Sequence, residues 1–160
     1  MKRALPFTLV GLLVVAALLV AVFTSGSSTK VATVSGTWVP SGATALYSSY
    51  QIVLPEGGHT AYGEITNAAD IEKVRELINA LPKAKYKDVF CPADVMIPYV
   101  YYFSTGTRAA SFARVSVQLG GCPTARVTTG GTTTEIGDWN LAAVNTSIQK
   151  IVWPNGPPLS

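Results

Sequence analysis

Cysteine, histidine and charge are all scarce in this chain, and each scarcity narrows the chemistry open to it. The 160 residues include two cysteines, one histidine and 13% charged side chains. A single histidine cannot build a zinc site without distant help, so His59, just after Gly57-Gly58, reads as an exposed turn residue. The cysteines, Cys91 and Cys122, have no Cys-x-x-Cys spacing, which removes the thioredoxin-like redox reading. The chain also lacks Gly-x-Ser-x-Gly, a phosphate-binding glycine loop and His-Glu-x-x-His, leaving no motif for a nucleophile elbow, a nucleotide cradle or a zincin. No cofactor and no metal are expected, and the chain is read as a non-enzyme.

Basic charge is equally thin. The formal net charge is +3, from 12 basic and 9 acidic residues. Setting aside Lys2 and Arg3, which belong to the N-terminal segment, leaves 10 against 9, a balance of +1. Nucleic-acid binding needs Lys and Arg clustered on one face, so no nucleic-acid partner is expected.

What the chain does have begins at its N-terminus. Met1-Lys2-Arg3 precedes an uncharged run from Ala4 to Phe23, dominated by Leu, Val and Ala. Basic residues before an apolar stretch mark a signal sequence or signal anchor. The 19 residues from Leu5 to Phe23 exceed the roughly 7–15 of a signal h-region and reach the about 17–25 of a spanning helix. No clean Ala-x-Ala precedes Ser25, and no cysteine follows for acylation. Residues 1–23 are therefore read as a transmembrane signal anchor, with a cleaved signal peptide as the alternative. Either way Lys2 and Arg3 hold the N-terminus inside, and the remainder lies outside the cytoplasm. The small polar residues 24–29 form a linker, and 30–160 form one extracytoplasmic domain, large enough for a single core.

Within that domain, Lys30–Trp38, Tyr50–Leu54 and Thr60–Ile65 read as strands, the last two as a hairpin around Pro55-Glu-Gly-Gly58. Ile71, Val74, Leu77 or Ile78, and Leu81 recur at helical spacing, with Asn67 as N-cap and Pro82 as terminator. Glu72 and Glu76 fall on the opposite, solvated face. Lys83-Ala-Lys-Tyr-Lys87 reads as a solvated connection, with an anionic contact as its functional alternative.

Two strand-like runs lie between the cysteines. Pro98–Phe103 is apolar or aromatic on both faces, with Tyr99, Tyr101 and Phe103 on one side and Val100 and Tyr102 on the other, as expected of a central strand covered twice. The return strand alternates cleanly: Ala113, Val115, Val117 and Leu119 point inward, Arg114, Ser116 and Gln118 outward. An even cysteine count in an extracytoplasmic domain predicts a Cys91–Cys122 disulfide. Ala125–Thr129 and Thr132–Ile136 form a hairpin about Gly130-Gly131. Trp139–Lys150 is a second helix with Asp138 as N-cap, and Trp153–Pro158 a tail laid on the surface.

The order Ile65-Thr66, helix, Leu81-Pro82, then Cys91-Pro92-Ala93-Asp94, a Tyr-rich strand, an alternating strand and Gly121-Cys122 resembles uncharacterised extracytoplasmic proteins and lipoproteins of actinobacteria. The resemblance spans roughly Thr60 to Lys150 and departs from the lipoproteins in lacking the acylated cysteine. It implies no activity. The expected fold is α+β: an antiparallel meander after an N-terminal transmembrane helix, with one central and one C-terminal helix packed on it. The expected function is a membrane-tethered, non-enzymatic module binding an envelope protein, peptide or glycan, with Tyr99, Tyr101, Tyr102 and Asp94 as its candidate surface. Two alternatives stand beside it. One is an envelope hydrolase using carboxylates such as Asp94, Glu64 or Asp138. The other is a secreted protease inhibitor presenting Gly120–Thr124 as a rigid loop.

Overall fold

An alternating strand such as Ala113-Arg-Val-Ser-Val-Gln118 can bury only one of its faces, and the sheet is built accordingly. A computed structural model describes residues 36–54, 57–86, 90–91 and 98–156. In it β1 (Ala45–Leu54) and β2 (Gly57–Ile65) form a hairpin, followed by helix α1 (Ala68–Asn79). Then come β3 (Tyr99–Ser104), a 3₁₀ turn (Arg108–Ala110), β4 (Ser111–Gln118), β5 (Thr124–Thr129), β6 (Thr132–Ile136) and helix α2 (Leu141–Val152). The six strands make one antiparallel sheet with two helices, an α+β fold. The expected anchor (1–23) and linker (24–29) lie outside the described residues. Among the described residues no helix is long and apolar enough to cross a membrane.

The strand order is β2-β1-β3-β4-β5-β6, so the simple meander is corrected at one joint. After α1 the chain does not pair β3 with β2; it returns to β1, matching Leu46 with Phe103, Ser48 with Tyr101 and Tyr50 with Tyr99. The reason lies in the side chains. β2 has exposed His59, Thr60, Tyr62 and Glu64 and only the small Ala61 and Gly63 between them, a composition suited to an edge. At the opposite edge, residues beyond α1 cover β6: Ala84 N–H donates to the Glu135 carbonyl (3.0 Å) and Gly137 N–H to Pro82 (2.7 Å). Lys83 and Lys85 are exposed on this cover, and Lys87 lies outside the described residues.

Both helices pack on one face. The Asn67 side chain caps α1 by accepting from Ala69 and Asp70 N–H, and Ile71, Val74 and Ile78 are buried. The helix ends at Asn79, two residues before its expected limit, because Pro82 disfavours helical backbone at Leu81, whose N–H turns to the Ile78 carbonyl; the Asn79 side chain serves elsewhere. Its amide exchanges two hydrogen bonds with the Val39 backbone, at 2.8 and 3.0 Å, while the Trp38 indole donates to the Leu81 carbonyl and Thr129 Oγ1 to Trp38. Residues 36–38 are thus an irregular clamp rather than the end of a strand; 30–35 lie outside the described residues. Glu72, which pairs with Arg75 at i,i+3, is held below the usual carboxylate range chiefly by that hydrogen bond.

Helix α2 starts at Leu141, later than expected. Asp138 is not its N-cap; its carboxylate accepts from Asn140 N–H one turn earlier, and Asn140 occupies the cap without a side-chain bond. Leu141, Asn145, Ile148 and Val152 are buried. Trp153 is a further correction: it is buried in the core rather than laid on the surface. The indole can approach the sheet closely because Gly63 offers no side chain there. A Cβ there would meet Ser48 Oγ and Trp153 Nε1 at 2.6 Å and Val152 Cγ1 at 2.9 Å. The Gly130-Gly131 hairpin forms as expected, with φ of 55° and 79°, the two positive values that a type I′ turn requires.

The Cys91–Cys122 disulfide is present and ties the approach to β3 to the β4–β5 connection. Closing a 31-residue separation constrains the unfolded chain by about 3–4 kcal/mol in the chain-entropy account. Replacing both cysteines by serine should lower the unfolding free energy by about that amount in chemical denaturation. Gly63→Ala tests the close approach of Trp153. Overpacking costs about 1–3 kcal/mol against a gain of about 0.5–1 for removing a strand glycine. A net loss of about 1–2 kcal/mol should therefore appear, with a red shift of tryptophan emission as the indole is displaced.

Candidate functional site

With both helices on one side, the second face of the sheet is lined by side chains alone among the described residues. Alternation and register place Tyr47, Ser49 and Gln51 of β1, Thr60, Tyr62 and Glu64 of β2, Val100 and Tyr102 of β3, Arg114, Ser116 and Gln118 of β4, and Arg126 of β5 there together. The expected second covering layer over β3 is absent from the described residues. Val100 is nonetheless buried, and Tyr102 is half-buried with arginine side chains against its ring.

The densest part of this face centres on Tyr102. The Arg108 guanidinium, carried by the 3₁₀ turn, lies 4.5 Å from the Tyr102 ring centroid and 5.4 Å from that of Tyr62. Its Nη2 also donates to the Tyr102 hydroxyl at 3.2 Å. Arg114 approaches the same ring at 5.9 Å. The turn is fixed from two sides: Tyr47 donates its hydroxyl to the Gly106 carbonyl at 2.6 Å, and Ser104 Oγ accepts from Gly106 N–H while donating to Thr107. Tyr62 remains 60% exposed. Each cation–ring contact contributes about 0.5–1 kcal/mol at such exposure, so the cluster is held in place by its own contacts.

Electrostatics follow from these contacts. Partial desolvation pushes the Tyr102 phenol up, but the Arg108 hydrogen bond and the charges of Arg108 and Arg114 outweigh it, and the net shift is downward. Desolvation and the nearby Glu64 carboxylate raise Tyr47. Arg126 is engaged with Glu135 at 3.0 Å. Among the described residues, neither Arg108 nor Arg114 forms an ion pair.

The candidate residues named from the sequence separate. Tyr102 stands at the centre of the open-face cluster. Tyr101 points the other way, is fully buried, and donates to Asn145 Oδ1 at 2.8 Å; burial pushes its phenol far up. Tyr99 is half-buried on the helix side, stacked on Tyr50 at 4.5 Å, and desolvation first, then Tyr50, pushes it up to about 12. Asp94 lies outside the described residues. Strand alternation explains the split, since Tyr101 and Tyr102 must face opposite ways. Arg108, Tyr62 and Tyr47 were not named from the sequence. The outward Arg114 was visible in β4, but placing it on Tyr102 needed the β3–β4 register.

The carboxylates of the hydrolase reading are also spread apart. Glu64 is on edge strand β2 and Asp138 follows the opposite edge β6, five strand spacings away, on the order of 20 Å. Gly120 and Gly121 are half-exposed, whereas Cys122 and Pro123 are buried and Pro123 accepts from the Tyr86 hydroxyl. His59 is exposed, and no described group of three or more His, Cys, Asp and Glu could hold a metal ion. A second aromatic feature lies by the β6–α2 turn, where exposed Trp139 meets Tyr86 edge-on at 5.6 Å. Comparison with known proteins returns no match among family models, curated proteins or solved structures.

Because Tyr99 and Tyr101 are raised above the ordinary tyrosine value of about 10, their buried neutral forms stabilise the fold fully below pH about 10. That stability is lost as pH rises through the folded values, because the unfolded chain releases these protons first. A tyrosinate absorbance titration followed together with circular dichroism should show exposed tyrosines ionising first. The last tyrosines should ionise only near pH 12 or above, together with unfolding. Tyr101→Phe should remove one of these late protons.

Proposed function

We propose that this chain is a membrane-tethered, extracytoplasmic binding module without catalytic activity, and that it meets its partner through the open face of its sheet. The observation that carries this reading is the cluster of Tyr62, Tyr102, Arg108 and Arg114 on a sheet face that no described helix covers. Tyrosine and arginine are the side chains that dominate protein recognition, giving large contact area and directed hydrogen bonds at low ordering cost. The apolar run of residues 4–23 supplies the tether, and an internal disulfide suits an oxidising compartment. The resemblance of the Cys-Pro-x-Asp and Gly-Cys pattern to extracytoplasmic actinobacterial proteins is in keeping with this reading.

The test uses the full-length chain in its native membrane with a photoreactive residue at Tyr62, and at exposed Thr146 on the helix layer as control. Position 62 should capture one discrete envelope component and position 146 none. Equal capture at both, or none at either, would dispose of the open face as the working surface. Membrane fractionation with N-terminal sequencing of the mature protein should recover an uncleaved, membrane-bound chain.

A further inference from the structure

Two guanidinium groups over one aromatic ring, neither ion-paired with a described residue, make an unusual concentration of unneutralised charge on an otherwise nearly balanced domain. Resting on the binding-module reading above, we propose that Arg108 and Arg114 receive an extended acidic segment of a protein partner, with carboxylates on residues i and i+2.

Stoichiometry, geometry and exclusion lead there together. A guanidinium has five N–H donors in a planar fork, and those not taken by a ring or hydroxyl can meet a carboxylate with two parallel hydrogen bonds. Arg108 engages the Tyr102 and Tyr62 hydroxyls and Arg114 the Tyr102 hydroxyl, and both residues are exposed, so each guanidinium keeps further N–H donors for a carboxylate. The two guanidinium carbons lie 4.5 and 5.9 Å from the same centroid, so they are at most 10.4 Å apart. Side chains on one face of an extended segment repeat every about 6.6–6.8 Å, within that reach, whereas adjacent residues point to opposite faces.

A sugar polymer is the weaker fit. Sugar stacking needs bare aromatic faces, and Arg108 already lies over both Tyr62 and Tyr102. On the surrounding face Arg126 is neutralised by Glu135, so the free positive charge is confined to the Tyr102 cluster, and the exposed Glu64 carboxylate, two strands from Tyr102, limits an acidic segment to the Arg108–Arg114 side of it.

The experiment measures binding of three fluorescent peptides to the detergent-solubilised full chain by anisotropy. They carry Glu-Ser-Glu, Gln-Ser-Gln or Glu-Glu-Ser in one common extended, threonine-rich frame. The Glu-Ser-Glu peptide should bind roughly tenfold or more tightly than its amide counterpart, and more tightly than Glu-Glu-Ser. Its affinity should fall with added salt. Arg108→Gln and Arg114→Gln should each remove most of the difference. Arg108→Lys should restore only part of it, and Arg126→Gln should leave it unchanged.

Equal binding of the acidic and amide peptides by the unmodified chain overturns the proposal, and needs no variant to fold. Insensitivity to both arginine substitutions overturns it as well. Tight, Arg108-dependent binding of a sulfated polysaccharide without peptide discrimination would reassign the site to an anionic glycan and overturn the protein partner. If the peptides fail while crosslinking from position 62 still captures its component, the acidic ligand falls and the open-face reading stands.

Discussion

A six-stranded sheet has two faces, and the described part of this chain provides helices for one. That asymmetry governs the rest. The helix side takes Tyr101, Phe103, Val115, Val117 and Val127 out of water beneath Ile71, Val74, Ile78, Leu141 and Ile148, and it holds the fold together. The other side, which no described helix covers, combines buried Val100 and Ser49 with exposed Tyr62, Glu64, Arg114 and Arg126, two demands in conflict. Its side chains resolve the conflict by covering one another: arginine stems and guanidinium groups lie over tyrosine rings, and one threonine hydroxyl pair, Thr128 and Thr133, links β5 to β6 at 3.0 Å. The surface is consequently organised without being dry.

The core side has its own irregularity. Asn145 is fully buried on α2, where its Oδ1 receives the Tyr101 hydroxyl, while its Nδ2 and the Trp153 indole N–H have no hydrogen-bond partner. Buried donors without acceptors cost about 1–3 kcal/mol each, a substantial fraction of the about 5–15 kcal/mol by which domains of this kind are stable. The Cys91–Cys122 bridge acts in the opposite direction with a similar magnitude. Stability here rests on a few strong local constraints as well as on the apolar cluster.

Much of this was readable from residue order, for reasons that differ by element. Helix α1 was legible because its signals are local: Asn67, the Ile71–Val74–Ile78 spacing and Pro82 all lie within one short segment. The β5–β6 turn was legible because only glycines adopt two successive positive φ values without strain. The β4 alternation assigned Arg114 outward before any partner was known. What was not legible is non-local. The return of β3 to β1 depends on β2 being a poor inner strand. The burial of Trp153 depends on Gly63, ninety residues earlier in the chain. For the site, the period of two separates Tyr101 from Tyr102, but only the helix positions say which of them is submerged. Arg108 comes from a turn that carries no pattern at all.

The clamp formed by Trp38 and Val39 has a geometric consequence. These residues are held by Asn79 and Leu81 at the end of α1 and by Thr129 at the end of β5. Residues 38 and 39 are therefore tied by hydrogen bonds to the helix layer and to the end of a strand at once. The Tyr102 cluster lies on the other side of the sheet. Under the proposed reading of a tethered binding module, the segment that leads into the domain is fastened on the helix side and the partner is met on the other.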